Sequence, residues 1–169
     1  MIISLLKFVH ATFGLIGIFT GSAVLFRLLA GIFLEKWAVI FLKCALAVGV
    51  TALLLPAKSL LPTHQIAMIE IYVSGIAVYA HRRFHFVGIW SLVYVLSLAA
   101  ILCLQVLVVV EHIFHYIPLL KSRFPMRSDP AFLITESVII LFFGGFGMFA
   151  IRRYCCNLAQ APKLHTERK

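Results

Sequence analysis

Three histidines, His10, His64 and His112, each stand near the end of an apolar run. Two neutral imidazoles brought from different helices to one depth can ligate the iron of a b-type haem. The segment carrying the first of them, HATFGLIGIFTG, places Gly14, Gly17 and Gly21 at helical intervals behind it. At 100° per residue these four positions fall within about 60° of one another and form one stripe. Glycines there let something lie close, either a flat porphyrin or a second helix, because small residues at such spacing are a common packing device in membranes. The haem reading pairs His10 with His64 and keeps His112 as the alternative second ligand. If the first span starts near Lys7, His10 lies roughly 3 Å deep, level with His64; if it starts at Ile2, His10 sinks roughly 10 Å deeper and that pairing fails.

Other ionisable or amide groups sit inside apolar runs, where they are expensive unless satisfied and therefore point to function by default. Glu70, Glu136 and Gln105 form the expected intramembrane polar cluster. Glu70, Ser74, Ala77 and His81 share one helical face, and His64, Met68, Ile71 and Gly75 share another about 120° away. Tyr94, Leu98, Ile101, Gln105 and His112 follow a helical repeat, as do Glu136, Ile140, Phe143 and Gly147. Such faces are expected to turn into a bundle. Glu70 and Glu136 read either as carboxyls held by hydrogen bonds or, with His10, as a proton-linked site. Lys43, about 9 Å from Trp37 along a helix, can snorkel to the surface. No serine has a base and an orienting partner, HExxH is absent, and no glycine loop precedes a lysine in the phosphate-binding pattern, so the chain alone is not expected to be an enzyme.

The elements that must position these groups are transmembrane helices. Of 169 residues, 63% are apolar and only 12% charged. The mean hydropathy is +1.06. Soluble domains carry roughly 25% charged residues. Several runs approach the roughly 20 residues that cross a hydrocarbon core. The expected fold is an all-α membrane bundle of five spans, 8–26, 37–55, 64–80, 86–110 and 131–151, in a single transmembrane domain covering residues 1–169. The amphipathic stretch EHIFHYIPLLKSRF is expected at the membrane surface. Arg27, Lys36, Arg82, Arg83, Arg152, Arg153, Lys163, Arg168 and Lys169 fall on one side of such a topology. Lys7, Lys58, Lys121, Arg123 and Arg127 fall on the other. The positive-inside rule then places the N-terminus outside and the C-terminus in the cytoplasm, in an inner membrane. The formal charge of +9 lies at span ends, where it serves headgroups, so lipid and not nucleic acid is the expected partner. The first span lacks a small-residue cleavage site after a short apolar core and is expected to be retained. Cys44 and Cys103 read as packing residues within spans, and Cys155-Cys156 as a pair beyond the last span with no zinc spacing.

The segments LPTHQIAMIEIYVSGIAVYAHRRFHFVGIW, LVVVEHIFHYIPLL and DPAFLITESVIILFFGGFGMFAIRRY resemble a group of small polytopic bacterial membrane proteins without an assigned activity. In that group an HxxxG near the start of the first span is followed by a small-residue stripe. A Pro-x-His opens a later span, a Phe-x-x-x-Pro follows the fourth, and a Pro-Phe-Leu opens the last. The corresponding elements look like His10 to Gly14, Pro62 to His64, Phe114 to Pro118 and Pro130-Ala131-Phe132-Leu133. The chain departs where the group carries an amide near the end of the fourth span and this chain has His112. It departs again in the first loop, RLLAGIFLEKW, where the group has Lys-Gly and His-Arg. The resemblance covers most of the chain, implies the multi-span topology and singles out His10 and His64, but implies no activity. The functional expectation is a non-enzymatic accessory or assembly subunit of a larger membrane complex, such as a respiratory one. A b-haem electron-transfer protein is the alternative, and a small proton-linked transporter a weaker one.

Overall fold

The computed structural model describes residues 2–32, 34–55, 62–84, 89–117 and 130–160. These residues form five helices and no strand: α1 (Ile2–Leu29), α2 (Glu35–Leu54), α3 (Pro62–Phe84), α4 (Ile89–Tyr116) and α5 (Pro130–Gln160). Four of them, α1, α2, α4 and α5, are long and apolar enough to cross a membrane. The protein is therefore a helical, multi-pass membrane protein. The exception, α3, carries His64, Gln65, Glu70, Ser74, His81, Arg82 and Arg83. Of these, Glu70 and Ser74 are buried in the interior, while Gln65, Arg82 and Arg83 are exposed.

Most helices outrun the apolar cores read from the sequence. Helix α1 begins at Ile2 rather than Phe8, α3 continues to Phe84, α4 to Tyr116 and α5 to Gln160. A helix satisfies its own backbone amides in lipid and headgroup alike, so a change in hydropathy gives the chain no reason to stop coiling. Glu111 to Tyr116, the start of the expected surface stretch, are thus the last turns of α4. Residues 118–124 of that stretch, His85, Lys58, Lys121, Arg123, Arg127, Lys163, Arg168 and Lys169 lie outside the described residues, as do the side chains of His115, Cys155 and Cys156.

A tight reversal joins the first two helices. Gly31 takes φ 74°, its amide donates to the Leu28 carbonyl at 2.9 Å, and the Ile32 amide donates to the Arg27 carbonyl at 2.9 Å. This is the Schellman arrangement, in which a left-handed residue after the helix satisfies its orphan carbonyls, and glycine takes it without the Cβ penalty. From this turn α1 and α2 run antiparallel in fixed register: Gly21 lies under Phe41, Gly17 against Cys44, and His10 against Thr51. A Cβ on Gly21 would sit 2.7 Å from the Phe41 ring, so the glycine is what lets the two helices approach. Along α3 and α4 the antiparallel contacts step from Glu70–Gln105 to His81–Tyr94.

Helix α4 is central and meets the other four. Helix α5 lies along it through Phe132 on Phe114 and Gly147 on Ala99, and reaches α1 at Phe146 on Phe26. The core holds Leu25, Leu28, Phe41, Tyr94, Leu98 and Ile101, each at most 1% exposed. On the outside of α1, Leu5, Phe8, Leu15, Phe19 and Phe26 are each at least 63% exposed. In water such a row would demand a cover, whereas lipid tails are as apolar as the side chains themselves.

Candidate functional site

The polar faces read on α3 and α4 do turn inward and meet each other. Glu70 is 2% exposed and Gln105 3%, and Gln105 Nε2 donates to Glu70 Oε1 at 2.9 Å. Ser74 and Ala77 continue the α3 face at 0% exposure. Opposite them on α4 are Ile101 and Leu98, also at 0%. Gly17 gives the Gln105 side chain its place, for a Cβ there would lie 2.9 Å from Gln105 Oε1. That oxygen is buried and has no hydrogen-bond partner among the described residues.

Two histidines approach the same region from different helices. His10 Nδ1 lies 2.9 Å from Thr51 Oγ1. The threonine hydroxyl spends its single proton on the Ala47 carbonyl at 2.7 Å, shared with the Val48 carbonyl at 3.0 Å. Its oxygen therefore accepts from His10, and neutral His10 is the Nδ1–H tautomer with its lone pair on Nε2. On α4, His112 Nδ1 lies 2.8 Å from the Val108 carbonyl oxygen. A carbonyl can only accept, so neutral His112 has the same tautomer.

These groups border one cavity of about 400 Å³. Helix α1 contributes His10, Ala11, Gly14, Leu15 and Ile18, α2 contributes Val48, and α3 contributes Glu70. Gln105, Val108, Val109, His112 and Ile113 line it from α4, with Ile117 just beyond. A Cβ at Gly14 would meet nothing within 4 Å. The expected glycine stripe is thus divided: Gly17 and Gly21 are pressed by neighbouring side chains, and Gly14 faces open space. Leu15, Val109 and Ile113 are 69%, 38% and 44% exposed, so the apolar lips between α1 and α4 open sideways towards lipid. The chamber is oily with polar groups at its closed end and its rim, which is the usual build of a small-molecule site.

The expected partners of His10 and Glu70 are distributed differently. His64 is half-buried on α3 but does not line the cavity, whereas His112 does. Helix α1 begins at Ile2, well before Lys7. Glu136, half-buried on α5, does not line the cavity either. Its expected stripe is only partly inward, since Gly147 is buried and Ile140 is 53% exposed. Among the described residues no group of three or more His, Cys, Asp or Glu is placed to hold a metal ion. Sequence reasoning passed over Thr51, Val48 and Ala11. A single threonine in an apolar helix carries no signal of its own, because such residues routinely bond back to their own carbonyls.

A second polar pair closes the other end of the α3–α4 interface. His81 stacks on Tyr94 with ring centroids 5.6 Å apart, and His81 Nε2 lies 3.6 Å from Glu35 Oε1. Tyr94 is 0% exposed, and Trp90 packs on Tyr79 nearby at 5.9 Å. No family model matches the chain. No curated protein and no solved structure is similar to it at a significant level.

Proposed function

We propose that the protein is a non-catalytic membrane subunit that takes one amphiphilic small molecule from the bilayer and holds it in the cavity between α1 and α4. The observation that carries this reading is the enclosed Glu70–Gln105 pair at the end of an apolar chamber whose lips face lipid. Buried polar groups are expensive unless used, and here they are aligned with a space that a tail and a head would fill. The same reading makes the chain an accessory component of a larger inner-membrane complex, with the cavity end outward. The basic residues at span ends support that orientation.

The test is native mass spectrometry of the full chain extracted in mild detergent with its own lipid. One hydrophobic molecule per chain is expected, and Gly14→Phe, which fills the chamber from a position with room for a Cβ, is expected to lose it. An unoccupied wild-type chain that behaves like Gly14→Phe would overturn the reading. Migration above monomer mass in blue-native electrophoresis of solubilised membranes checks the complex.

One observation favours a b-type haem as the second reading. His10 and His112 both anchor Nδ1–H on an oxygen, which is the arrangement that orients imidazoles for Nε2 ligation, and both line the cavity. The residues thus fit a bis-histidine site with His112, not His64, as the second ligand and Gly14 against the porphyrin. Haem, when bound, would supply one-electron transfer. A porphyrin leaves the Glu70–Gln105 pair without a use, so the amphiphile reading stands first. A reduced-minus-oxidised spectrum with sharp α and β bands, lost in His112→Ala, would reverse that order. A proton-linked transporter built on His10, Glu70 and Glu136 has less support, because Glu136 is apart and the fully buried Ala77 and Leu98 interrupt the polar line between Glu70 and His81.

A further inference from the structure

Glu70 and Gln105 complete their hydrogen bonds unequally. Gln105 Nε2 donates to Glu70 Oε1, while Gln105 Oε1 is sealed within the protein even against a water-sized group. Glu70 lines the cavity at 2% exposure, and its Oε2 is neither hydrogen-bonded nor sealed among the described residues. The carboxyl thus commits one oxygen to the bundle and leaves the other to the chamber. Among the described residues no Lys, Arg or His lies at ion-pair distance from it. A carboxyl surrounded by apolar groups and without a cation keeps its proton, because the ionised form would be stranded in a low dielectric. The amide nitrogen can only donate, so Oε1 is the accepting oxygen and the proton sits on Oε2. The closed end of the chamber therefore presents one uncommitted donor.

What each kind of head group would need narrows the ligand. A carbonyl has lone pairs and no proton, so a single donor satisfies it. An ammonium brings three donors and a charge, and an ion pair buried with so few partners does not recover the solvation it loses. A hydroxyl accepts as a carbonyl does but adds a proton of its own, and Gln105 Oε1 and Ser74 Oγ are both sealed against it. The chamber of about 400 Å³ holds on the order of thirteen non-hydrogen atoms if each takes roughly the 30 Å³ that water does. A longer tail leaves sideways between Leu15 and Val109.

We propose that the cavity selects a neutral amphiphile headed by a carbonyl, an ester or a ketone, whose oxygen accepts a hydrogen bond from Glu70 Oε2 while its tail runs out to lipid. The proposal rests on the cavity reading above and adds the head group to it. Gln105 is the positioning residue, since its amide fixes which carboxyl oxygen faces the ligand.

The experiment uses four probes on one carbon skeleton: methyl undecyl ketone, the matching secondary alcohol, the matching amine and the plain alkane. Each competes with tritiated ketone for the full-length protein in lipid nanodiscs, with empty nanodiscs subtracted. The ketone is expected to bind about fivefold tighter than the alkane, the worth of one hydrogen bond, and tighter than the alcohol and the amine. Glu70→Gln, whose amide can accept from Gln105 and donate to the ligand, is expected to keep the preference for ketone over alkane. The double variant Glu70→Leu with Gln105→Leu is expected to bring those two affinities together. Equal binding of ketone and alkane, an alcohol or amine that binds as tightly as the ketone, a preference lost in Glu70→Gln, or one that survives the double variant would overturn the carbonyl proposal and leave the cavity reading intact. Retention of none of the probes would overturn it too, and would remove the cavity reading as well if the native chain carries no small molecule.

Discussion

Glu70 and Gln105 meet at one end of the α3–α4 interface and His81 and Tyr94 at the other, and the cavity described above is lined by the first pair and not the second. The two helices run in the same register at both ends, so they do not cause the difference. Helix α1 does. It sends Val24, Leu25 and Leu28, each at most 1% exposed, into the core cluster that holds Tyr94. Towards Gln105 it sends Gly17, Gly14 and Ala11. A polar pair roofed by leucines becomes part of the core, while one roofed by glycines is left with a chamber. Side-chain size on a neighbouring helix thus decides whether buried polarity serves packing or recognition.

Four single substitutions act on this contrast: Gly21→Leu, Glu70→Leu and Glu35→Gln in falling order of effect, with Gly14→Leu as the control for the first. Gly21→Leu drives a side chain into the Phe41 ring at a site with no slack and is expected to cost about 3 kcal/mol, read by SDS titration of the purified protein in mixed micelles. Gly14→Leu, on the same stripe, is expected to leave stability unchanged and reduce only ligand content. Equal losses at the two glycines would erase the contrast between closed and open ends. Glu70→Leu strips Gln105 Nε2 of its acceptor and is expected to cost about 1–3 kcal/mol. The double variant Glu70→Leu with Gln105→Leu is expected to recover most of that loss and still lose ligand, because an apolar pair no longer needs satisfying. Smallest is Glu35→Gln at the closed end. Its carboxyl is 65% exposed, and such pairs contribute at most about 1 kcal/mol, so the His81–Tyr94 stack should persist and the midpoint shift should be slight.

Much of the bundle was legible because hydrophobic periodicity is written locally. The five helices lie where the apolar runs are, and the inward faces Glu70–Ser74–Ala77 on α3 and Tyr94–Leu98–Ile101–Gln105 on α4 are buried as their spacing requires. The glycine stripe announced a close approach, and Cys44, Phe41 and Gln105 make it at Gly17 and Gly21. What spacing along one helix could not supply was which residues from separate helices would share a level. His10 lines the cavity with His112 and not His64 because α1 packs against α4 with Gly17 on Gln105. Emptiness was equally illegible. Gly14 and Gly17 are the same residue in the same stripe, and only the side chain that fails to arrive at Gly14 makes it part of a site.

The Schellman turn at Gly31 has a consequence for biogenesis. Because it sets the α1–α2 register within a short link, the hairpin can pair His10 with Thr51 without any contact from α3 or α4. The first histidine thus finds its partner within its own hairpin, and the later helices only have to build the chamber around a pair that is already made.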